Sequence, residues 1–502
     1  MSFLRLHIHV FFRRVEVEGL ENVPESRGGL LVAWHPNGLI DPSLIMAQSS
    51  GRVVFGARDG LFKIPVLGPM MRALGTVPIY RASDSEGDDD ARRAANRTSL
   101  DALAEKIVEG SFSALFPEGL SHDEPHLMEL KTGAARLYYR ARQLQGAGDR
   151  GSERDAGDRS RARDAGDLDR TPVIIPVGLH YDRKHAFRSR ALVQFHPPLE
   201  LADDLDVSPA ADEPDEEFRA RARRLTGKIE EALTLVVMPT ESWEVHRLFH
   251  RGRKLIRAER AARAGSTPGR PKLLEKQVGF ARVWAGYRHL RHSHPAEVEA
   301  LMDEVREYDA NLTALQLADH ELDGSPRLGS PLLSVFLIAQ FLMVFGLFPP
   351  LLLLGAVVNL PAALVCVLIA RNADASKDRA SLKILAGSVL FPLSWVASGV
   401  LVAFGIVRLQ ALSGLSGIPI AAGLVTVVVG AVGALVAVSY RRLAAETVRS
   451  IRVRFTRRRR LEEIDWLRSE RSRLHDRLTR LSDGLDLPGE VTEEGRIAMR
   501  RT

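Results

Sequence analysis

A histidine followed closely by an aspartate is the first group in this sequence that could do chemistry. His35 and Asp41 stand in the segment HPNGLID, which follows an apolar run and begins a helical pattern. A carboxylate at this distance can hold an imidazole in one tautomer and stabilise its charged form, as a general base requires. Taken alone, such a pair is more often structural than catalytic. Its interpretation therefore depends on the other polar segments of the chain.

Two further segments place charged or hydroxyl side chains directly after strand-like runs. GTVPIYR ends in Arg81, whose guanidinium could bind a phosphate through two hydrogen bonds, although an isolated arginine is also a common surface residue. LFPEGLSHD places Glu118 and Ser121 at the end of an apolar run, and LKTG follows a few residues later. These segments supply a cation, a carboxylate, a tight turn and a hydroxyl.

An α/β framework is needed to bring these segments together. We predict strands at Gly29–Trp34, Val53–Ala57, Thr76–Tyr80, Ser113–Phe116, Val173–Leu179 and Leu192–Phe195, and helices at Asp41–Ser49, Ala91–Glu109 and Thr132–Gln145. Strands that alternate with helices predict a mixed, largely parallel sheet with flanking helices. The run VIIPVGL is typical of a strand covered on both faces. Because ligands of such sheets bind at strand ends, we expect the polar segments to share one edge.

The ordered set HPNGLID, GTVPIYR, FPEGLSHDEPHLMELKTGAARL and VIIPVGL resembles the four sequence blocks of the phospholipid/glycerol acyltransferase family. The blocks cover about residues 15–200. A stretch at 377–388, together with the helical region before it, resembles a narrower branch, the membrane-bound glycerol-3-phosphate/dihydroxyacetone-phosphate acyltransferases. The chain departs from the family in one respect: five residues separate His35 from Asp41, where the family usually has four.

This resemblance implies an O-acyltransferase of the glycerolphosphate type, acting in phospholipid biosynthesis. The acyl donor would be a thioester, either acyl-CoA or acyl carrier protein, and the acceptor a hydroxyl of a phosphorylated glycerol. His35 would be the catalytic base and Asp41 its partner. The implied substrate-binding residues are Asn37, Gly38, Arg81, Glu118, Gly119, Ser121 and Lys131. Arg81 and Lys131 would hold the acceptor phosphate. No cofactor is implied, because a thioester is already activated, and the sequence shows no metal-ligand spacing.

Two acceptors fit these blocks. Glycerol-3-phosphate or dihydroxyacetone phosphate is favoured by the resemblance to the narrower branch. The alternative is 1-acylglycerol-3-phosphate, which would yield phosphatidate, since it too presents a phosphate and a free hydroxyl. A remote hypothesis of another class is an inactive domain that tethers lipid or a partner. The joint presence of the histidine, aspartate, glutamate and arginine argues against it.

The composition divides the chain into a globular part and a membrane part. Of 502 residues, 26% are charged and 45% hydrophobic, which excludes a wholly disordered or collagen-like chain. Residues 328–370, 384–407 and 409–440 contain no charged residue, which is typical of membrane spans. We therefore predict a multi-span α-helical membrane region at 328–440, with about four apolar helices in two hairpins. The first hairpin either crosses fully or re-enters.

The excess positive charge lies after the last apolar segment. Residues 441–502 contain 17 Arg and 11 acidic residues, a net charge of +6 that equals the net charge of the whole chain. A basic segment beside a span is expected to face an anionic membrane surface on the cytoplasmic side, which places the α/β domain there too. Nucleic acid is a less favoured partner for this tail. The Arg- and Ala-rich composition points to a bacterial cell membrane.

The predicted organisation has four parts: an α/β domain at 1–210, a helical cytoplasmic region at 211–327, the membrane region at 328–440 and a basic tail at 441–502. Residues 146–170 are rich in Gly, Asp, Arg and Ser and are predicted to be a disordered insertion. Residues 461–481 predict an amphipathic helix. That helix would pair with a partner helix, including a second copy of this chain, or lie on the membrane surface.

Overall fold

The computed structural model describes residues 2–63, 67–80, 89–155, 171–210, 213–266, 269–323, 331–371, 379–413, 418–492 and 496–499. Contacts divide the chain into two units, Met1–Trp243 and Glu244–Thr502. The first unit contains a large β-sheet with helices packed on it, and the second is mainly helical.

A seven-stranded sheet forms the centre of the first unit. Its strands are β1 (Phe12–Glu18), β2 (Gly29–Ala33), β3 (Val53–Arg58), β4 (Val77–Ile79), β5 (Phe112–Leu115), β6 (Val173–Tyr181) and β7 (Ser189–Phe195). Their order is β1-β7-β6-β2-β5-β3-β4, and every neighbouring pair is parallel except β6 and β7. Strands β6, β2, β5, β3 and β4 therefore run in one direction, and their carboxyl ends meet at one edge.

Helices cover this sheet and complete its core. Those of the first unit are α1 (Ser2–Phe11), α2 (Ile40–Gln48), α3 (Leu67–Ala73), α4 (Asp89–Val108), α5 (Gly133–Asp155) and α6 (Asp215–Val237). Leu30 and Val32 of β2 pack in one cluster with Tyr138 of α5 and with Leu225 and Ile229 of α6, and all five side chains are buried. The central position of β2 explains its uninterrupted apolar sequence, because both faces of the strand are covered.

The predicted mixed, largely parallel sheet with flanking helices is confirmed. Each of the six predicted strands is present, with bounds that differ by a few residues. Strand β1 was not predicted. Its sequence FRRVEVE carries four charged residues in seven, and only two of its side chains are buried, because β1 is the outer strand beside β7. Edge strands tolerate charged side chains that a central strand would exclude.

Two boundaries differ from the predicted organisation. Helix α5 continues to Asp155, beyond residue 146, where the irregular insertion was predicted to begin; residues 156–170 lie outside the described residues. Helix α6 packs on the core of the sheet, so the first unit extends to Trp243, past the predicted boundary at residue 210.

The second unit consists of two groups of helices. The first group is α7 (Trp243–Arg263), α8 (Leu273–Ser293), α9 (Pro295–Ala314) and, from the tail, α14 (Leu461–Leu481). The apolar group is α10 (Pro331–Leu342), α11 (Phe348–Arg371), α12 (Arg379–Ser413) and α13 (Pro419–Arg459), with a π-helical segment at Met343–Leu347. The chain closes with a short hairpin, β8 (Glu490–Val491) and β9 (Ile497–Ala498).

Helix α14 confirms the predicted amphipathic helix, but its apolar face packs within the unit and not on a partner helix or the membrane surface. Its apolar residues Ile464, Leu467 and Leu474 are buried against Leu255 of α7 and Leu312 of α9. Because helices of the same unit already cover this face, it is not open to a second copy or to a membrane surface. The sequence pattern identified an apolar face but carried no information about what covers it.

A buried arginine links this helix to the rest of the unit. Arg471 of α14 is 2% exposed. Its guanidinium donates to Glu259 at 2.9 Å, to both carboxylate oxygens of Asp323 at 2.7 Å and to the main-chain oxygen of Asp319 at 2.9 Å. Burial by itself lowers the pKa of Arg471, but the bonds to Asp323 and Glu259 outweigh it and raise the pKa above its usual value. Arg471 therefore stays charged, and its charge is balanced inside the unit by Glu259 and Asp323.

We expect Arg471→Met to lower the free energy of unfolding by about 3 kcal/mol, because it removes the buried cation that Asp323 and Glu259 Oε2 share. The measurement is thermal unfolding of the purified chain, followed by circular dichroism. The matched control is Arg473→Met on the same helix. Arg473 is 50% exposed and pairs at the surface with Glu470, so we expect a loss of at most about 1 kcal/mol. Equal losses of unfolding free energy for the two variants would show that the burial of Arg471 does not determine its contribution to stability.

The geometry of the apolar helices limits how many of them can cross a membrane. Among the described residues, two helices are long and apolar enough to cross a membrane, at Leu385–Ala411 and Pro419–Arg459. The segments Val335–Pro350 and Gly355–Ile369 instead form a pair bent by 83°. Each of these is about 15 residues, roughly 23 Å of helix, which is short of a hydrocarbon layer of about 30 Å. The first predicted hairpin thus has the geometry of a broken span or a re-entrant loop, and two or three segments of the described residues could cross a membrane.

Helices α11, α12 and α13 pack closely around one polar side chain. Asn359 of α11 donates to the main-chain oxygens of Gly355 and Gly430, both at 2.8 Å, and accepts from Trp395 Nε1 at 2.9 Å. A Cβ at Gly433 would lie 2.8 Å from the main chain of Gly355, so glycine permits this close approach. Such satisfied polar groups and small residues are typical of helices packed in a membrane.

Candidate active site

The loops that follow β2, β5 and β6 bring the candidate catalytic residues together. Strand β2 lies between β6 and β5 and is parallel to both. His35 follows β2, Glu118 follows β5, and Tyr181 ends β6. All three side chains therefore come from the carboxyl ends of adjacent parallel strands, the edge where ligands of α/β sheets bind.

His35 and Asp41 form a hydrogen-bonded pair. His35 Nδ1 lies 2.9 Å from Asp41 Oδ2, and the aspartate is fully buried. Because an ionised carboxylate only accepts hydrogen bonds, Nδ1 carries the proton and Nε2 keeps its lone pair. The imidazole stacks on Phe116 with ring centroids 3.9 Å apart and is 16% exposed. Within the part of the chain that the structure describes, Nε2 has no hydrogen-bond partner, so it is available as a base.

The five-residue loop between the two residues closes at Gly38. Ile40 N–H donates to Asn37 O at 2.9 Å, and Gly38 has φ +40°, a conformation that favours glycine. The Asn37 N–H donates to Asp41 Oδ2 at 2.7 Å. The loop is one residue longer than the usual family spacing, and its tight turn leaves the His35–Asp41 contact intact.

Tyr181 completes the surroundings of Asp41, and sequence reasoning missed it. Its hydroxyl donates to Asp41 Oδ1. Burial raises the pKa of Tyr181 well above its usual value, and the nearby charge of Asp41 raises it further, so the phenol stays protonated and remains a donor. One signal was available: Tyr181 follows directly after VIIPVGLH, a strand that was expected to end at the site.

We expect Tyr181→Phe to lower kcat about tenfold with little change in KM, because Asp41 loses one of its three donors and holds the imidazole less firmly. The measurement is steady-state acyl transfer by folded protein. The matched control is Tyr138→Phe, which removes a buried tyrosine donor to Asp206 at 2.8 Å elsewhere in the unit. That variant should lose stability but keep kcat. A similar fall in kcat for both would indicate a general loss of structure.

Glu118 holds the main chain at His35 through its side-chain carboxylate. Its side chain is 1% exposed, and Oε2 accepts from His35 N–H at 3.2 Å. Oε1 accepts from Met128 N–H at 2.9 Å and from His122 Nε2 at 2.7 Å. Because His122 Nδ1 accepts from Glu124 N–H at 3.2 Å, the imidazole proton is on Nε2. Glu118 thus holds two loops in register, and its contact with substrate stays a prediction.

The remaining residues of the FPEG segment lie around its turn. Gly119 has φ +71°, and a Cβ at that position would lie 3.2 Å from Lys131 Nζ. The exposed ammonium of Lys131 is therefore held against the turn, next to the strand end that carries Glu118. Ser121 is half-buried two residues further along. Arg81 lies outside the described residues, and its predicted role as a phosphate ligand stays a prediction.

Asn37 and Lys184 link the dyad loop to the segment after β6. The fully buried Asn37 donates from Nδ2 to Lys184 O at 3.2 Å, so it supports the loop from inside, and its contact with substrate stays a prediction. Lys184 Nζ donates to Pro36 O at 3.2 Å and pairs with Asp123. This cation beside the dyad was not predicted, because nothing in the segment YDRK distinguishes one surface lysine from another.

No metal centre accompanies these residues in the described ranges: no group of three or more His, Cys, Asp or Glu side chains there is arranged to hold an ion. What the arrangement offers is a partly exposed base, oriented by a buried carboxylate, with lysines nearby. Such a base can remove a proton from a hydroxyl group that approaches the strand edge.

Comparison with known proteins identifies related chains. The family model described as Acyltransferase matches residues 14–179. An uncharacterized acyltransferase of Schizosaccharomyces pombe is 24% identical over 407 residues, which is 64% of this chain and 54% of the relative. Glycerol-3-phosphate O-acyltransferase 1 of Saccharomyces cerevisiae is 24% identical over 216 residues, 43% of this chain and 24% of the relative.

A third relative is a chloroplastic 1-acyl-sn-glycerol-3-phosphate acyltransferase of Arabidopsis thaliana, 28% identical over 124 residues, 24% of this chain and 32% of the relative. This chain thus spans about half of the yeast relative from Schizosaccharomyces and a third or less of the other two. The shared part includes the strand edge that carries His35, Asp41 and Glu118. Residues 14–179, within the α/β unit, therefore match the Acyltransferase family model, and the relatives include glycerol-3-phosphate and 1-acyl-sn-glycerol-3-phosphate acyltransferases.

Proposed function

We propose that this chain is a membrane-bound O-acyltransferase that transfers a fatty acyl group from a thioester to a hydroxyl of glycerol-3-phosphate or dihydroxyacetone phosphate. The observation that carries the proposal is the His35–Asp41 pair, with Nδ1 bound to the carboxylate and Nε2 free of partners in the described structure. That geometry suits a general base that acts on a neutral hydroxyl.

The reaction follows from this geometry in two steps. Nε2 of His35 takes the proton of the acceptor hydroxyl while the oxygen attacks the thioester carbonyl carbon. The carbon–sulfur bond then breaks, and the leaving thiolate takes the proton back from the imidazolium. Asp41 stabilises the imidazolium between the two steps. Because a thioester is already activated, no acyl-enzyme is needed, and the main-chain N–H of Gly38 is a candidate donor to the developing oxyanion.

Binding of the acceptor phosphate would fall to cations around the strand edge. Lys131 is held against the Gly119 turn, and in the sequence Arg81 comes two residues after the end of strand β4. Arginine binds phosphate through two parallel hydrogen bonds, whereas lysine acts as a point charge. Together they would orient the acceptor so that its free hydroxyl reaches Nε2 of His35.

The choice of acceptor rests on the relatives. The alignment with the yeast glycerol-3-phosphate O-acyltransferase is 216 residues long, against 124 residues for the plant 1-acyl-sn-glycerol-3-phosphate acyltransferase. The longer alignment supports glycerol-3-phosphate or its keto analogue. The alternative, acylation of 1-acylglycerol-3-phosphate to phosphatidate, uses the same base and the same phosphate ligands.

The membrane region supports a site on the side where soluble acyl donors are made. Helix α13 is apolar from Pro419 to Tyr440 and continues as a basic helix to Arg459. By the positive-inside rule this basic end is cytoplasmic. If the bent pair Val335–Pro350 and Gly355–Ile369 re-enters and only two helices cross, the residues before α10 lie on the same side as this basic end. We propose this topology, with the catalytic unit in the cytoplasm, where acyl-CoA and acyl carrier protein occur, and, from the Arg- and Ala-rich composition, a bacterial cell membrane.

The test is acyl transfer by the detergent-purified full chain, with labelled acyl-CoA and, separately, acyl carrier protein as donor. Each of the three acceptors is offered alone, and His35→Ala is the control. Product from glycerol-3-phosphate or dihydroxyacetone phosphate supports the proposal, and product only from 1-acylglycerol-3-phosphate selects the alternative. No product from any combination would contradict both and would favour the inactive tether.

A further inference from the structure

The second unit contains a cavity whose lining does not include the residues of the proposed reaction. It measures about 130 Å³, is open on one side, and is formed by α7, α8, α9, the end of α14 and the segment that carries β9. Most of its wall is apolar; examples are Leu248, Phe249, Val298, Leu301, Met302 and Leu478. An apolar cavity of about this size is enough for a benzene-sized group, and a longer chain could extend through the opening.

The charge on the cavity wall is entirely positive. Among the described residues that line it, the charged ones are Arg253, Arg260 and Arg282, and none is acidic. Arg282 is already engaged, because its guanidinium donates to main-chain oxygens of the segment before β8. The stem of Arg253 packs against Gly279, where a Cβ would lie 2.8 Å away. The wall is therefore both apolar and cationic.

Unlike Arg257 and Arg263 on the same helix, Arg260 has no counter-ion among the described residues. Arg263 pairs with Glu259 at 2.9 Å. For Arg260, in contrast, no ion pair or hydrogen bond of the guanidinium occurs within the described ranges. Burial and the charge of Arg282 lower the pKa of Arg260 to about 10. A half-buried cation without a partner is costly, and an anion at this position would offset that cost.

We propose that this cavity binds a single-chain amphiphile with an anionic head group, its chain against the apolar wall and its head group on Arg260. A neutral apolar ligand would leave Arg260 without a counter-ion. A small inorganic anion would leave the apolar wall unfilled. An alkyl chain that ends in a carboxylate or a phosphate monoester would fill the apolar wall and also give Arg260 a counter-ion. This site belongs to the second unit, so it does not depend on the proposed reaction at His35.

Ligand binding can be measured directly on the full chain in a neutral maltoside detergent, by fluorine NMR line broadening. The probe is 6,6,6-trifluorohexanoate. Its neutral twin is 6,6,6-trifluorohexan-1-ol, trifluoroacetate supplies a head group without a chain, and detergent alone is the blank. We expect the acid to bind at least about tenfold more tightly than the alcohol, because it adds a charge-assisted hydrogen bond. Trifluoroacetate should show no saturable binding.

Three variants identify the site. Arg260→Met should reduce the affinity of the acid to that of the alcohol, and Leu301→Trp, which fills the cavity, should abolish binding of both. Arg247→Met removes an exposed arginine from the same helix and should change neither. Thermal unfolding checks that each variant is folded. If Leu301→Trp does not fold, the affinity of Arg260→Met for the acid still tests whether the head group binds Arg260.

The outcomes separate two sources of the anion. Tighter binding of 6,6,6-trifluorohexyl phosphate than of the acid would assign the site to a phosphate monoester lipid, and the reverse order to a fatty acid. Two results would overturn the proposal: equal affinities of the acid and the alcohol for the unaltered chain, or unchanged binding of the acid to Arg260→Met.

Discussion

Replacement of His35 by alanine should lower kcat for acyl transfer at least about a thousandfold, because the acceptor hydroxyl then has no base to take its proton. The expected effect on stability is small. The imidazole is partly exposed and lies at the end of a strand, so its removal leaves no closed cavity. The measurement is single-turnover transfer from labelled acyl-CoA, together with the thermal unfolding midpoint of the same preparation.

The matched control for His35→Ala is His126→Ala. His126 is an exposed histidine in the loop between β5 and α5 of the same unit, and its removal should leave kcat unchanged. Imidazole added to the assay of His35→Ala should restore part of the rate if a base is what is missing. Transfer by His35→Ala at more than a tenth of the normal rate would contradict the proposed mechanism.

Replacement of Asp41 by asparagine should lower kcat by about a thousandfold while keeping the volume of the side chain. The carboxylate accepts hydrogen bonds from His35, Asn37 N–H and Tyr181. An amide cannot accept from all of them, because its NH₂ group faces at least one donor. The imidazole then loses the partner that keeps Nδ1 protonated, so Nε2 is no longer reliably the basic nitrogen.

The matched control for Asp41→Asn is Asp319→Asn in the second unit. Asp319 is also a buried carboxylate that accepts from a tyrosine, Tyr308, at 3.1 Å. Both variants should lower the unfolding midpoint, but Asp41→Asn alone should lower kcat, with KM for the acceptor nearly unchanged. If kcat of folded Asp41→Asn stayed within about threefold of normal, the aspartate would be structural only.

The elements of the α/β unit could be predicted from the sequence because their signals are local. Strand β6 is a continuous apolar run, and α5 has a regular apolar repeat, so each is recognisable from its own residues. Strand β1 was missed because an edge strand is only half covered and its charged residues mask the pattern. The apolar helices and the break within the first pair were recognised from the sequence, but the angle of 83° at that break depends on packing.

In the candidate site, too, the residues close in sequence could be predicted and the distant ones could not. His35 and Asp41 lie in one loop, so the sequence itself keeps them close. Tyr181 is 140 residues from Asp41, and its hydroxyl reaches the carboxylate only because β6 pairs with β2. Lys184 reaches the same loop through the segment after β6. The spacing of residues in the sequence does not predict contacts between such distant segments.

What the sequence determined by itself is therefore the local part of this protein: its strands and helices, the pair of His35 and Asp41, the apolar segments and the basic tail. The tertiary structure alone decided which distant groups meet. Arg471 meets Glu259 across 212 residues, and Arg260 is left in an apolar wall without a counter-ion in the described structure. The physical reason is that residue types set local conformation and burial, whereas a pairing of distant charges depends on how several helices pack at once.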